Sequence, residues 1–274
     1  MQIKGLFALL WWSLISSSTL LGQLPFKMYE IRPDPQMQQF YRNRGVKAYF
    51  LTNYQVYKGD TLTRGVYKSV RFDQQGRTIY DSTATVMGRA YEMLYNDRGQ
   101  LAQIVKRTVK GKGFFLLEYD SLGRKVLEIE ISHRLDTNEV SRFVYDTQNR
   151  LLEKHSRNPA TSSVTTYAYD RENRLVSQLT KTQTIKGEIQ TGERYLFNAQ
   201  GNMIGIRGLK DGVVRMVDDY RYNERGQVIE RTLPGKVERY QYYYDGTGLL
   251  TGVEVYDLQK GNLKGWQIIA YEFH

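Results

Sequence analysis

Apolar and polar residues alternate over short runs broken by turn-forming residues, and the same arrangement returns eight times. The copies are RFDQQGRTI (71–79), LYNDRGQLA (94–102), EYDSLGRKV (118–126), VYDTQNRLL (144–152), AYDRENRLV (168–176), LFNAQGNMI (196–204), RYNERGQVI (221–229) and YYDGTGLLT (243–251). Aligned on the Asp or Asn, their spacings are 23, 24, 26, 24, 28, 25 and 22 residues, which is a repeat period. One residue before that position stands Phe72, Tyr95, Tyr119, Tyr145, Tyr169, Phe197, Tyr222 or Tyr244. Three before it stands Val70, Met93, Leu117, Phe143, Tyr167, Tyr195, Tyr220 or Tyr242. A spacing of two places each pair on one face of a strand. The position between them is mixed, with Arg71, Glu118 and Arg221 beside Leu94, Val144 and Tyr243. One face is therefore consistently apolar and the other only partly so.

The aligned Asp73, Asn96, Asp120, Asp146, Asp170, Asn198, Asn223 and Asp245 are side chains that accept hydrogen bonds from the backbone two residues on and so close a turn. Three places later the chain needs a left-handed residue, as in hairpin loops built on a type I turn. Gly76, Gly99, Gly123, Gly201, Gly226 and Gly248 supply it in six copies, and Asn149 and Asn173 in two. Asparagine tolerates that conformation better than other non-glycine residues. Segments such as KVLEIEIS (125–132) and QVIERTL (227–233) then read as return strands, and HRLDTNE (133–139) and NPATSS (158–163) as variable connections.

Residues 46–69 look like one degenerate unit before the first full copy, and WQIIAYEFH (266–274) like the first strand of a repeat that stops before its turn. Residues 23–45 are irregular, with Pro25, Pro33 and Pro35; Asp34, Pro35 and Gly45 favour a short capping helix over 35–44. The expected fold is all-β: tandem hairpin repeats over 46–274 in a curved or rolled antiparallel meander, tyrosine-rich stripe inside, with a short N-terminal cap. About sixteen strands make roughly 75 Å of sheet at ~4.8 Å each, wide enough to twist or curl. Terminal caps are expected to protect the open edges of such an array.

With these residues laid out, the repeat resembles the YD repeat of the RHS family, Tyr-Asp-x-x-Gly-Arg-Leu followed by a strand, over about residues 66–274. The family includes bacterial polymorphic toxins, insecticidal toxin subunits and animal teneurins. The resemblance implies a β-strand spiral and a secreted protein; the chain is read as a small stand-alone member.

Composition agrees with strands. Tyrosine leads the aromatics, 22 against 10 Phe and 3 Trp, and suits strands apolar on one side and wet at the rim. The first residues, MQIKGLFALLWWSLISSSTLLGQ, combine Lys4, an apolar run at Leu6–Ile15 and small residues at Ser16–Ser18 and Gly22. A membrane anchor is the competing account; the three serines and the lack of basic residues after the run favour a signal peptide over 1–22, cut after Gly22 although Leu20 fits the −3 position poorly. Export to the periplasm, cell surface or medium is expected, with no stable membrane span afterwards. No cysteine is present, which excludes disulfides and lipid attachment at cysteine. The net charge is +10, scattered without a run of five or six Lys or Arg, so general solubility explains it better than binding to anionic glycans, membrane surfaces or nucleic acid.

Little here supports catalysis. His133, His155 and His274 show no metal-ligand spacing. His133 near Asp136 permits a carboxylate-oriented base, but both read as surface-loop residues. The turn carboxylates offer one oxygen group each, too few for calcium. GKG (111–113) lacks the strand-loop-helix context of a phosphate loop. GERYLF (192–197) and DYRYN (219–223) interleave aromatic and basic residues, but Tyr195, Tyr220 and Tyr222 share the inward phase. No catalytic, metal or cofactor residue is expected. The leading expectation is a non-catalytic interaction scaffold whose partner is a protein or glycan at the cell envelope. The alternative is a carbohydrate- or polyanion-binding module using a basic, tyrosine-rich surface.

Overall fold

In the computed structural model, residues 35–57, 60–84 and 88–274 are described. The expected signal segment, 1–22, lies outside them. A helix, α1 (Pro35–Asn43), precedes β1 (Val46–Tyr57), β2 (Asp60–Phe72), β3 (Thr78–Thr83), β4 (Arg89–Tyr95), β5 (Leu101–Thr108) and β6 (Gly111–Tyr119). There follow β7 (Lys125–Ile131), β8 (Thr137–Tyr145), β9 (Leu151–Arg157), β10 (Ser162–Tyr169), β11 (Leu175–Thr184) and β12 (Gly187–Phe197). The last are β13 (Met203–Lys210), β14 (Val213–Tyr222), β15 (Val228–Leu233), β16 (Glu238–Tyr244), β17 (Leu250–Asp257) and β18 (Leu263–Phe273). Among the described residues these eighteen strands belong to one antiparallel sheet. Among them, too, no helix is long and apolar enough to cross a membrane.

The chain divides into two units. The first comprises Met1–Ala84, Phe197–Ile204 and Asp218–His274. In it β1 is paired on both edges, with β2 from Ala48↔Arg71 to Tyr57↔Asp60 and with β18 from Val46↔Phe273 to Gln55↔Gly265. The meander thus closes through its first strand, the strand order of a barrel. The all-β antiparallel meander is as expected; what differs is WQIIAYEFH, which is no unfinished edge, because residues 46–55 pair with it. Here α1 packs inward through Phe40 and Tyr41, and the Tyr41 ring lies 4.4 Å from that of Phe72. The helix rests on the first repeat turn so closely that a Cβ on Gly76 would collide with the Gln38 carbonyl oxygen. Arg44 Nη2 donates to the Thr247 carbonyl at 2.6 Å, tying the helix end to the eighth turn.

The second unit comprises Thr85–Leu196 and Gly205–Val217. From β4 to β12 each strand pairs with the next in sequence, as hairpins demand. The connections read as variable loops are tighter than expected. Ser132 N donates to the Asp136 carbonyl at 2.9 Å, Arg134 N to Ser132 Oγ at 3.1 Å, and Leu135 takes the left-handed position at φ 66°. That is the repeat's own turn with serine in place of aspartate, and β8 begins at Thr137.

All eight residues three places before the turn Asp or Asn are buried, from Val70 to Tyr242. Those one place before it are half-buried except Phe72. The stripe is therefore apolar at one position and amphipathic at the next, for a reason visible at the turns.

Candidate functional site

At each repeat turn the Asp or Asn side chain organises the backbone. Asp146 Oδ1 accepts from the N–H groups of Gln148 and Arg150, both at 2.9 Å, while Asn149 N donates to the Asp146 carbonyl at 3.1 Å. The same pattern holds at Asp73, Asn96, Asp120, Asp170, Asn223 and Asp245; at Asn198 the side-chain bond comes from Asn202 N at 2.8 Å. Gly76, Gly99, Gly123, Gly201, Gly226 and Gly248 have φ between 73° and 88°, and Asn149 and Asn173 have φ 63° and 61°.

The residue four places on completes the turn according to its charge. Asp73, Asp120, Asp146 and Asp170 pair with Arg77, Arg124, Arg150 and Arg174 at 2.6–2.7 Å. Where the turn residue is Asn96 or Asn223, its amide donates to Gln100 or Gln227 at 3.1 and 2.9 Å. Asp245 has no such arginine and accepts instead from the Thr247 hydroxyl at 2.7 Å. Desolvation alone would raise the Asp120, Asp146 and Asp170 carboxyls, but backbone N–H donors and the arginine outweigh it and hold them below the usual range.

Two of these arginines also staple neighbouring repeats. Arg124 Nη1 donates to Asn149 Oδ1 at 2.8 Å with its guanidinium 5.0 Å from the Tyr145 ring, and Arg150 does the same to Asn173 and Tyr169 at 2.9 and 5.0 Å. A second ladder runs beside them. The hydroxyls of Tyr119, Tyr145, Tyr169, Tyr222, Tyr244 and Tyr271 donate to the carbonyls of Leu101, Lys125, Leu151, Met203, Val228 and Leu250 at 2.6–2.9 Å. Each acceptor is the first residue of the strand that follows an earlier turn. These tyrosines keep their tips polar because the tips are bonded, hence their half-burial.

Chemistry-bearing residues elsewhere are held in separate places. In the first unit the Lys68 ammonium meets Asp81 at 2.9 Å, both almost fully buried; Arg231 meets Asp218 at 2.6 Å, and the Tyr220 hydroxyl donates to the same carboxylate oxygen at 3.2 Å. In the second, Ser141 and Thr165 face Ser156 and Thr180 across strand pairs, each at 2.8 Å. His155 Nε2 lies 2.7 Å from Glu153 on an exposed strand face, and the His274 backbone donates to Gly45. No hydrogen bond joins His133 to Asp136 among the described residues, and in them no group of three or more His, Asp or Glu is placed to hold a metal ion.

One surface constellation differs. On the outward face of the first unit, Gln241, Glu254, Trp266 and Tyr54 are directly opposite one another across β16, β17, β18 and β1. Trp266 and Tyr54 stack, with centroids 5.1 Å apart and planes at 10°. Glu254 Oε2 accepts from Tyr243 at 2.5 Å and from Tyr256 at 2.7 Å. Those acceptor bonds, with burial, push the Tyr243 phenol up to about 12. Tyr243 stands opposite Gly252, and a Cβ there would lie 3.8 Å from its ring. The ring thus leans over β17 with 46% of the residue exposed.

No family model matches the chain. No curated protein matches it either. Among solved structures it is similar to a porin-like protein from Bacteroides uniformis ATCC 8492, at 10% identity over 84% of this chain and 96% of that one, TM-score 0.46. A porin-like protein from Bacteroides vulgatus ATCC 8482 is similar at 9% identity, 83% and 98% coverage, TM-score 0.42. A chain of the Photorhabdus luminescens Tc holotoxin pore is similar at 14% identity over 81% of this chain and 14% of that one, TM-score 0.26.

In the sequence, the arginines after the turns and the tyrosines before them stand as separate features. The pairing of Asp with Arg and of Asn with Gln at a spacing of four was a readable signal for the first. The outward row carried none, because Tyr54, Glu254 and Trp266 lie far apart in sequence and outside the eight aligned motifs.

Proposed function

We propose that the chain is a non-catalytic interaction scaffold of the cell envelope or extracellular space, built as a small relative of the YD-repeat proteins. The observation that carries the reading is the outward row Gln241–Glu254–Trp266–Tyr54 with Tyr243 leaning beside it. Apolar rings and polar groups are held there on four adjacent strands, a rigid frame that needs no rearrangement to bind. The turn aspartates with their arginines, and the Lys68–Asp81 and Arg231–Asp218 pairs, are engaged in building turns and strand pairs. Export is supported by the apolar run at Leu6–Ile15 and the small residues after it. Arg77, Arg124, Arg150 and Arg174 are paired with turn carboxylates and Lys68, Lys106, Lys125 and Lys154 with other acids, which withdraws these eight from a polyanion surface.

The test immobilises the full chain and a Tyr243→Ala/Trp266→Ala variant, and passes envelope extract over both at low and high salt. The scaffold reading expects material retained by the unaltered chain at both salt levels, lost on the variant and released chemically unchanged. Equal retention on both, or no retention, defeats it.

A further inference from the structure

Resting on the scaffold reading and naming its ligand, we infer that the outward face of β16, β17, β18 and β1 is a binding site for a neutral glycan. Three features select that chemistry. First, the Tyr243 ring is a tilted platform: opposite Gly252 it leans across β17, and its hydroxyl is anchored on Glu254. A fixed, partly exposed ring offers a π-face to the C–H side of a sugar at little entropic cost. Second, Trp266 adds a larger ring on the same face, braced by its stack with Tyr54. From Gln241 to Tyr54 the row crosses three strand intervals, roughly 14 Å, which accommodates more than one sugar ring.

Third, the polar groups between the rings suit hydroxyls and not anions. Glu254 Oε2 is held by two phenols, and Oε1 accepts no hydrogen bond among the described residues. The Gln241 amide beside it, whose oxygen accepts from the Tyr243 hydroxyl at 3.3 Å, supplies two N–H donors. A sulfated or phosphorylated polymer would meet the Glu254 carboxylate head-on. A purely apolar peptide would leave Glu254 Oε1 and the Gln241 amide N–H groups desolvated without a partner, which is costly. A polyhydroxyl ligand with apolar ring faces satisfies both.

The experiment is a calorimetric titration of the full chain with soluble dextran, β-glucan, mannan and galactan, and with dextran sulfate as the charged counterpart. At least one neutral polymer is expected to bind, with affinity changing less than about twofold between low and high salt because no counterions are released. Tyr243→Ala and Trp266→Ala are each expected to weaken it at least about tenfold, and Tyr243→Phe, which keeps the ring, by less than about threefold. If Trp266→Ala unfolds, Tyr243→Ala and Trp266→Phe decide. Absence of binding to all four neutral polymers, unchanged affinity in the Ala variants, or binding to dextran sulfate alone overturns the assignment. A protein partner retained by the unaltered chain and lost on the Tyr243→Ala/Trp266→Ala variant, with none of the four neutral polymers bound, would sink the glycan site and leave the scaffold. Turnover of a bound neutral glycan would support the site and sink the scaffold.

Discussion

Removing the hydroxyls of the tyrosine ladder should destabilise the sheet in proportion to their number. Tyr119, Tyr145 and Tyr169 each donate to a backbone carbonyl at 2.9 Å from a half-buried position. A net hydrogen bond of this kind contributes about 1 kcal/mol. Successive ladder tyrosines lie two strands apart, roughly 10 Å, far enough for their effects to add. The triple variant Tyr119→Phe/Tyr145→Phe/Tyr169→Phe should therefore lose about 3 kcal/mol, or roughly 6–12 °C in melting temperature for a chain of this size. Urea denaturation followed by circular dichroism, with the slope checked for constancy, reads the loss directly. Tyr80→Phe is the control, because Tyr80 meets Arg71 through its ring, 5.5 Å away. The alkaline limb gives a second reading. Burial pushes the Tyr145 phenol up to about 12, with Arg124 opposing and Asp120 and Tyr119 adding. Its folded value exceeds the unfolded value of about 10. Its contribution is therefore complete below pH 10 and lost as pH climbs from about 10 to about 12. The triple variant should be less sensitive across that window. A triple variant melting within about 1 °C of the control would refute the reasoning, since water would then replace the ladder at no cost.

Lys68→Met should cost about 3–5 kcal/mol by leaving Asp81 buried without its ammonium, whereas Lys68→Met/Asp81→Leu should recover most of it in the same denaturation assay. Asp146 and Asp170 are held below the usual carboxylate range, so their contribution is present above about pH 4 and lost as pH falls through their folded values. Asp146→Asn/Asp170→Asn should flatten the acid limb of a stability profile. Leu135 sits 72% exposed at φ 66°, and Leu135→Asn should raise stability by about 0.5–1 kcal/mol in a thermal melt.

The antiparallel hairpins were legible because a two-residue period flanks every turn and the period of the turns is regular. What stayed hidden is non-local. Pairing of β1 with β18 joins residues 46–55 to 265–273, and neither segment carries the repeat motif that announces a partner. The amphipathic character of Tyr119 or Tyr145 was equally hidden, since alternation reports which face a residue takes and not where its hydroxyl ends. Tyr54 and Trp266 became neighbours only through the same closing pair. Inward charges such as Lys68 and Asp81 look like solvated residues until both are seen on one face with each other.

The β1–β18 seam also sets a schedule. During synthesis at about 5–20 residues per second, β1 emerges more than two hundred residues before the strand that completes its outer edge. For roughly 10–45 s that edge stands unpaired, a template for any other strand in reach. The last nine residues of the sheet, 265–273, thus act as a fastener. A ribosome that stalls, or a protease that trims, just short of Gly265 would leave nearly every hairpin in place and still release a chain prone to join its neighbours.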